Sequence, residues 1–346
     1  MKYREEIHDT KEYKINYVEG IENVIKRRQC EAAKERREYI KDVFTESERY
    51  RKDFIDMLGW PLVGQVDTSL PNVKSELLSE EEAHTVYRMQ FEILEGLYMT
   101  GLFFKVKGEE KKPLVIVQHG GDGTPERISG VYGSTTNYNG ILERVICHGV
   151  NAFAPQLLLW HAPYEVPFDR KSLDARLKRV GGSITALEVY GIKRILDYFE
   201  SKDFVSTFGM VGLSYGGFYT LFTTAADTRI KAAISCSFFN KRDYIPWIDW
   251  TWKDSAYRFD DAEIAALIYP RKLWIEIGDD DKLFDYKGGV ESFESLKEIC
   301  SEVGCDWVNF KVFGGVHEFY KEDDHIDALI AELFAKQKII NKEAAY

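Results

Sequence analysis

The residues best suited to chemistry in this 346-residue chain form the run Gly212-Leu213-Ser214-Tyr215-Gly216-Gly217. The run follows an apolar strand candidate, Met210-Val211, and precedes a helix candidate, Phe218-Tyr219-Thr220-Leu221-Phe222. A serine on so tight a strand-to-helix turn needs strained backbone angles and almost no side-chain bulk two residues to either side. Gly212 and Gly216 provide that space, and Gly217 lets the helix pack closely. The helix also aims its dipole and free N–H groups at the serine. The chemistry implied is nucleophilic attack by Ser214 on a carbonyl carbon.

A serine hydroxyl is a weak nucleophile without a base, and the base needs a group to orient it. After a later strand comes Ile277-Gly278-Asp279-Asp280-Asp281-Lys282. A carboxylate just past a strand's C-terminal end lies on the ligand-binding edge of an open α/β sheet. Any of the three aspartates can serve. A metal site is the rival use, but consecutive residues of one loop rarely converge on one ion without further ligands. Next stands Phe313-Gly314-Gly315-Val316-His317-Glu318-Phe319, whose paired glycines permit a turn that brings the imidazole back over the strand ends. His317 completes the chain order Ser, Asp, His. His325, at the start of a helix, is the other downstream histidine and reads as a surface residue.

Acyl transfer also develops negative charge on the carbonyl oxygen, which fixed backbone N–H groups stabilise. One donor is the N–H of Tyr215. The other comes from Val117-Gln118-His119-Gly120-Gly121-Asp122-Gly123, directly after a buried strand, with Gly121 the chosen residue. His119 precedes the serine in the chain and reads as orienting its loop. Two aromatic-rich stretches complete the candidate site. Gln156–Tyr164 contains Trp160, His161 and Tyr164, and Phe238–Phe259 contains Arg242, Tyr244, Trp247, Trp250, Trp252 and Tyr257. Trp160, Trp247, Trp250 and Trp252 are the candidate substrate-binding residues, since rings with interspersed charges suit a sugar or other polar ring. Packing of a lid over the core is the other use for them.

These residues must be positioned by the elements around them. Helical spacing of Ile21, Val24, Ile25, Ile40, Val43, Phe44, Phe54 and Leu58 predicts one or two amphipathic helices, ending near Gly59-Trp60-Pro61. Residues 1–80 therefore read as a helical N-terminal extension, and 81–346 as the catalytic domain. Gln90–Leu94 and Leu97–Val106 flank Glu95-Gly96 as a hairpin. Continuous apolar runs then alternate with helical stretches. Strands are expected at Pro113–Gln118, Asn151–Leu159, Phe208–Leu213, Ile230–Ser235, Leu273–Ile277 and Trp307–Val312. Helices are expected at Tyr138–His148, Ser183–Glu200, Tyr215–Ala226, Val290–Val303 and Ile326–Lys336. This alternation predicts an α/β fold with a mostly parallel sheet of about eight strands flanked by helices.

Composition narrows the function classes. With 46 Lys+Arg against 57 Asp+Glu the formal net charge is −11, which argues against a broad nucleic-acid surface. Five scattered cysteines without a CxxC pair fit reduced thiols in a cytoplasmic protein, with a Cys300–Cys305 bridge as the one alternative pairing. The N-terminus lacks the apolar segment of a signal peptide, and no run approaches the roughly 18 apolar residues of a membrane span. The N-terminal helices are a candidate surface for homo-oligomer formation.

Together the HGG loop, GLSYGG turn, GDDD turn and GGVHEF ending resemble the α/β-hydrolase superfamily. Within it they are similar to the dienelactone-hydrolase and acetyl xylan esterase-like group, over roughly residues 88–340. In such proteins the acid is commonly the third residue after the glycine ending its strand, which implies Asp281. The resemblance implies a serine esterase working through an acyl-enzyme on a small-molecule ester, with short acyl or acetyl groups and acylated sugars as candidate substrates. It implies no metal and no organic cofactor. Enzymes of the dienelactone type itself use a cysteine nucleophile, where this chain has Ser214. The SYGG turn is also similar to that of prolyl-oligopeptidase-type peptidases, so a compact serine peptidase is one alternative. A non-catalytic binding protein on a hydrolase fold is the other.

Overall fold

The computed structural model describes residues 1–64, 69–160 and 168–343, with side chains described through residue 336. The chain opens with helices α1 (Lys11–Tyr39) and α2 (Ser47–Leu58). The edge strands β1 (Val73–Glu80), β2 (His84–Leu94) and β3 (Leu97–Val106) follow. Next come β4 (Lys112–Gln118), α3 (Pro125–Ile128), α4 (Ile141–Ile146), β5 (Asn151–Pro155), α5 (Arg170–Arg179) and α6 (Ile184–Glu200). The second half contains β6 (Val205–Leu213), α7 (Tyr215–Ala226), β7 (Ile230–Cys236), α8 (Asp261–Ala266), β8 (Lys272–Gly278), α9 (Tyr286–Ile299), β9 (Val308–Phe313) and α10 (Asp324–Glu343).

One sheet runs in the order β1-β2-β3-β5-β4-β6-β7-β8-β9. The pairs β1–β2, β2–β3 and β3–β5 are antiparallel, and every pair from β5 through β4 to β9 is parallel. The sheet thus has nine strands where the sequence pattern predicts about eight. The additional one is β1, inside the segment read as a helical extension. It pairs on one side only and is exposed along most of its length, so it carries no apolar alternation.

The parallel strands are apolar because both faces of the sheet are covered. In β4, Leu114 and Ile116 enter the core under α2, α6 and α7, while Val115 and Val117 enter the core under α4 and α10. The first helices divide in two. Ile21, Val24 and Ile25 of α1 are exposed, and Ala32 is its only buried residue. From Ile40 onward, Val43, Phe54 and Leu58 belong to the main core. Phe54 meets Phe222 of α7 with ring centroids 5.3 Å apart, and Arg51 donates to the carbonyls of Ala225 and Leu267 near the ends of α7 and α8. Ser183, which caps α6 through the Ala186 N–H, also donates its hydroxyl to the Leu58 carbonyl at 2.7 Å.

Among the described residues no helix is long and apolar enough to cross a membrane. Cys300 and Cys305 are free thiols and not a bridge.

Candidate active site

Ser214 sits between β6 and α7 with φ 61° and ψ −122°. A non-glycine residue adopts such angles only where the surroundings over-determine them. Here the Ser214 N–H donates to the Cys236 carbonyl of β7 at 2.9 Å, and its own carbonyl accepts from Phe218 at 2.9 Å. The glycines around it have little room for anything else. A Cβ on Gly212 would run into the backbone of Gly216, and one on Gly216 into the carbonyl of Gln118. A Cβ on Gly217 would meet the Cys236 carbonyl. The glycine spacing therefore reports three close backbone approaches that press α7 onto the ends of β4 and β7.

The three aspartates after β8 differ in what they hold. Asp279 accepts from the Gly315 N–H at 3.1 Å and so ties the two loops together. Asp280 is exposed and paired with Lys282. Asp281 is buried, with Oδ2 2.8 Å from His317 Nδ1 and Oδ1 accepting the N–H groups of Leu283 and Phe284. Among the described residues no group of three His, Cys, Asp or Glu side chains could hold a metal ion. Phe284 stacks on the His317 ring at 5.5 Å with 20° between the planes, which fixes its tilt.

His317 reaches the strand-end edge that carries Ser214. The Cys236 carbonyl accepts from Ser214, while Ser237 of the same segment donates to the Glu318 carbonyl, next to His317. Among the described residues no hydrogen bond joins Ser214 to His317. Hydrogen bonds of this kind often tighten only when substrate is bound. His325 is not a surface residue. It is buried, with Nδ1 2.7 Å from Glu276, between the rings of Trp274 and Tyr320.

The loop after β4 lies directly against the serine. A Cβ on Gly120 would stand 2.9 Å from Ser214 Cβ. The Gly120 N–H is already committed, donating to the Tyr138 hydroxyl at 2.9 Å. This leaves Gly121 as the next N–H along the loop, beneath the ring of Trp160. His119 is fully buried and orients the loop. Its Nε2 accepts from the Leu157 N–H at 3.0 Å, which leaves Nδ1 to donate to the Gly120 carbonyl.

The four tryptophans separate. Trp160 is half-exposed, 5.4 Å from Tyr215 between ring centroids, and covers Gly121. Trp247 is partly buried, beside Tyr215 at 5.8 Å and Phe284 at 6.0 Å. Trp250 and Trp252 are core residues, Trp250 between Phe218 and Phe238 and Trp252 against Phe222. The stretch after Phe238 therefore presents no open row of rings. His161 and Tyr164 lie outside the described residues.

Several site residues carry no sequence signal. Asn137 donates to the His317 carbonyl at 3.1 Å, and Asn139 donates to the Phe319 carbonyl and to Glu318. Behind Tyr215 lies a buried ionic cluster of Arg170, Glu188 and Asp249. Its members are scattered through the chain, so no local motif marks them.

No protein-family model matches the sequence. No curated protein matches it either. Solved structures do match in fold. A provisionally assigned acetyl xylan esterase of Bacteroides fragilis NCTC 9343 superposes with a TM-score of 0.63 at 15% identity, covering 79% of this chain and 76% of that one. A glucuronoyl esterase of Solibacter usitatus gives 0.60 at 14% identity, over 85% and 94% of the two chains. Acetyl xylan esterase 1 of Thermoanaerobacterium sp. JW/SL YS485 gives 0.55 at 14% identity, over 84% and 94%. Likeness at such identities is likeness of fold, and the fold is that of the α/β-hydrolases, with esterases among its structural neighbours.

Proposed function

We propose that the chain is a serine hydrolase of carboxylic esters. The observation that carries this reading is the pairing of buried Asp281 with the partly buried His317, at the strand-end edge that also presents Ser214 on a strained turn. A carboxylate can only accept, so His317 Nδ1 holds the proton shared with Asp281 and Nε2 is left as the base. His317 takes the Ser214 proton as the oxygen attacks the ester carbonyl, and Asp281 balances the charge that forms on the imidazole. The N–H groups of Tyr215 and Gly121 receive the oxyanion, each worth roughly 10²–10³ in rate. His317 then protonates the leaving alcohol, and water cleaves the acyl-enzyme by the same route.

The structural neighbours that are named acetyl xylan and glucuronoyl esterases favour an ester on a sugar, with a short acyl group such as acetyl. Trp160, half-exposed over Gly121, is the ring placed to meet it. Five free cysteines fit a reducing compartment such as the cytoplasm. The test is hydrolysis of p-nitrophenyl acetate and of acetylated sugars by wild type and Ser214→Ala, with fluorophosphonate labelling of Ser214. Equal rates in the two proteins, or an unlabelled Ser214, overturn the proposal. A preference for aminoacyl-p-nitroanilides replaces the esterase with a peptidase.

A further inference from the structure

Arg170 is six per cent exposed, at the start of α5, and its guanidinium meets four separate acceptors. Nε donates to Asp249 Oδ2 at 2.8 Å, and Nη1 donates to the Leu158 carbonyl at 2.8 Å. Nη2 donates to Glu188 Oε2 at 3.0 Å and to the Tyr219 hydroxyl at 2.7 Å. Two of these contacts lead to the serine turn. The Tyr215 hydroxyl donates to the same Asp249 oxygen at 2.8 Å, and the guanidinium lies 5.3 Å from the Tyr215 ring centroid. Tyr219, one turn further along α7, also bonds Glu188.

The other contacts lead to the opposite wall. Leu158 is held by both of its backbone polar groups, its carbonyl by Arg170 and its N–H by Glu188 Oε1 at 2.7 Å. Two residues on stands Trp160, whose ring lies on Gly121 and 5.4 Å from Tyr215. The two proposed oxyanion donors, the N–H groups of Tyr215 and Gly121, are thus flanked by side chains referred to one buried cation.

We propose that Arg170 is the positioning residue of the oxyanion hole. It acts through Asp249 on Tyr215, and through Leu158 on the Trp160 segment that covers Gly121. The inference rests on the serine-esterase reading given above. A guanidinium suits this place, because its rigid fork of five donors serves four acceptors on four segments of the chain, more than the three donors of a lysine ammonium can. Small displacements matter because an oxyanion donor contributes only when aimed at the position the oxygen takes in the transition state.

The experiment compares wild type, Tyr215→Phe and Arg170→Lys for kcat and KM on p-nitrophenyl acetate. It also measures inhibition by an alkyl trifluoromethyl ketone, which forms a tetrahedral adduct with the serine. Tyr215→Phe removes one hydroxyl and keeps the ring and the backbone N–H. We expect kcat to fall roughly 10-fold in Tyr215→Phe and roughly 10- to 100-fold in Arg170→Lys, with KM nearly unchanged. The inhibition constant should rise by the same factor as kcat/KM falls. A general loss of folded enzyme lowers kcat without changing that constant. Tyr215→Phe as active as wild type, or inhibitor affinity that does not follow kcat/KM, overturns the assignment. If Arg170→Lys does not fold, Tyr215→Phe decides alone. An active wild type with an indifferent Tyr215→Phe sinks only the role of Arg170. A wild type that is inert and unlabelled at Ser214 sinks the esterase reading instead.

Discussion

Asp281 Oδ2 lies 2.8 Å from His317 Nδ1, while Oδ1 of the same carboxylate accepts two backbone N–H groups, from Leu283 at 2.8 Å and Phe284 at 3.0 Å. The carboxylate is therefore locked before it orients the imidazole. Asp281→Asn should lower kcat for ester hydrolysis by about 10³–10⁴-fold, because an amide in that place favours the wrong tautomer of His317. Asp279→Asn and Asp280→Asn should retain activity within about tenfold, since neither contacts the base. Steady-state rates of the three variants check this, and a larger loss at Asp280 would move the acid.

The tryptophans give opposite expectations. Trp252 is buried against Phe222, so Trp252→Ala should cost about 3–5 kcal/mol of stability and leave KM unchanged. Trp160→Ala should alter ester hydrolysis while leaving stability within about 1 kcal/mol, because its ring is half in water. Urea unfolding and steady-state kinetics on both variants separate the two cases. Loss of activity at Trp252 with normal stability would return that ring to the site.

Much of the fold and of the candidate site was legible in the sequence, and the limits are physical. The serine turn, the Gly-rich loop and the His317 loop are local, each written in neighbouring residues whose spacing reflects close backbone approach. The hairpin of β2 and β3 and the helices α6 and α7 showed through their apolar patterns. The strand β1 did not, since an exposed edge has no buried face to impose alternation. Trp250 and Trp252 look in sequence like any aromatic cluster, and only tertiary packing separates a core ring from an open one. The cluster of Arg170, Glu188 and Asp249 is assembled from distant positions, which no spacing rule can detect.

The amino-terminal segment should behave as two parts. A chain lacking residues 1–27 loses mostly exposed helix and should melt within a few degrees of the full chain. A chain beginning at residue 81 loses Phe54, Leu58 and Arg51 from beneath α7, and also the edge strand β1, and should not give soluble folded protein. Thermal melts and soluble yield test the pair. Cooperative folding of the shorter chain would show that the core tolerates their loss.

Stability should also depend on pH through the acids behind the aromatic segment. Burial pushes the Asp261 carboxyl up to about 7, against the pull of Arg242 and helped by Asp260. An unfolded carboxyl titrates near 3.9. Between these values the folded chain holds a proton that the unfolded chain has lost, so this contribution to stability falls as pH rises from about 4 to 7, by up to about 1.4 kcal/mol per unit. Asp261→Asn should flatten that slope. Urea unfolding at pH 5, 6 and 7 measures it, and equal slopes in variant and wild type would exclude the group.

Tyr138 accepts the Gly120 N–H, and its neighbours Asn137 and Asn139 hold the backbone on either side of Glu318. One short turn is thus the common reference for the loop that faces Ser214 and the loop that bears His317. A displacement of that turn therefore bears on both loops at once, through the Gly120 N–H and the carbonyls of His317 and Phe319. The spacing of the two loops is thereby measured from a single support that both share.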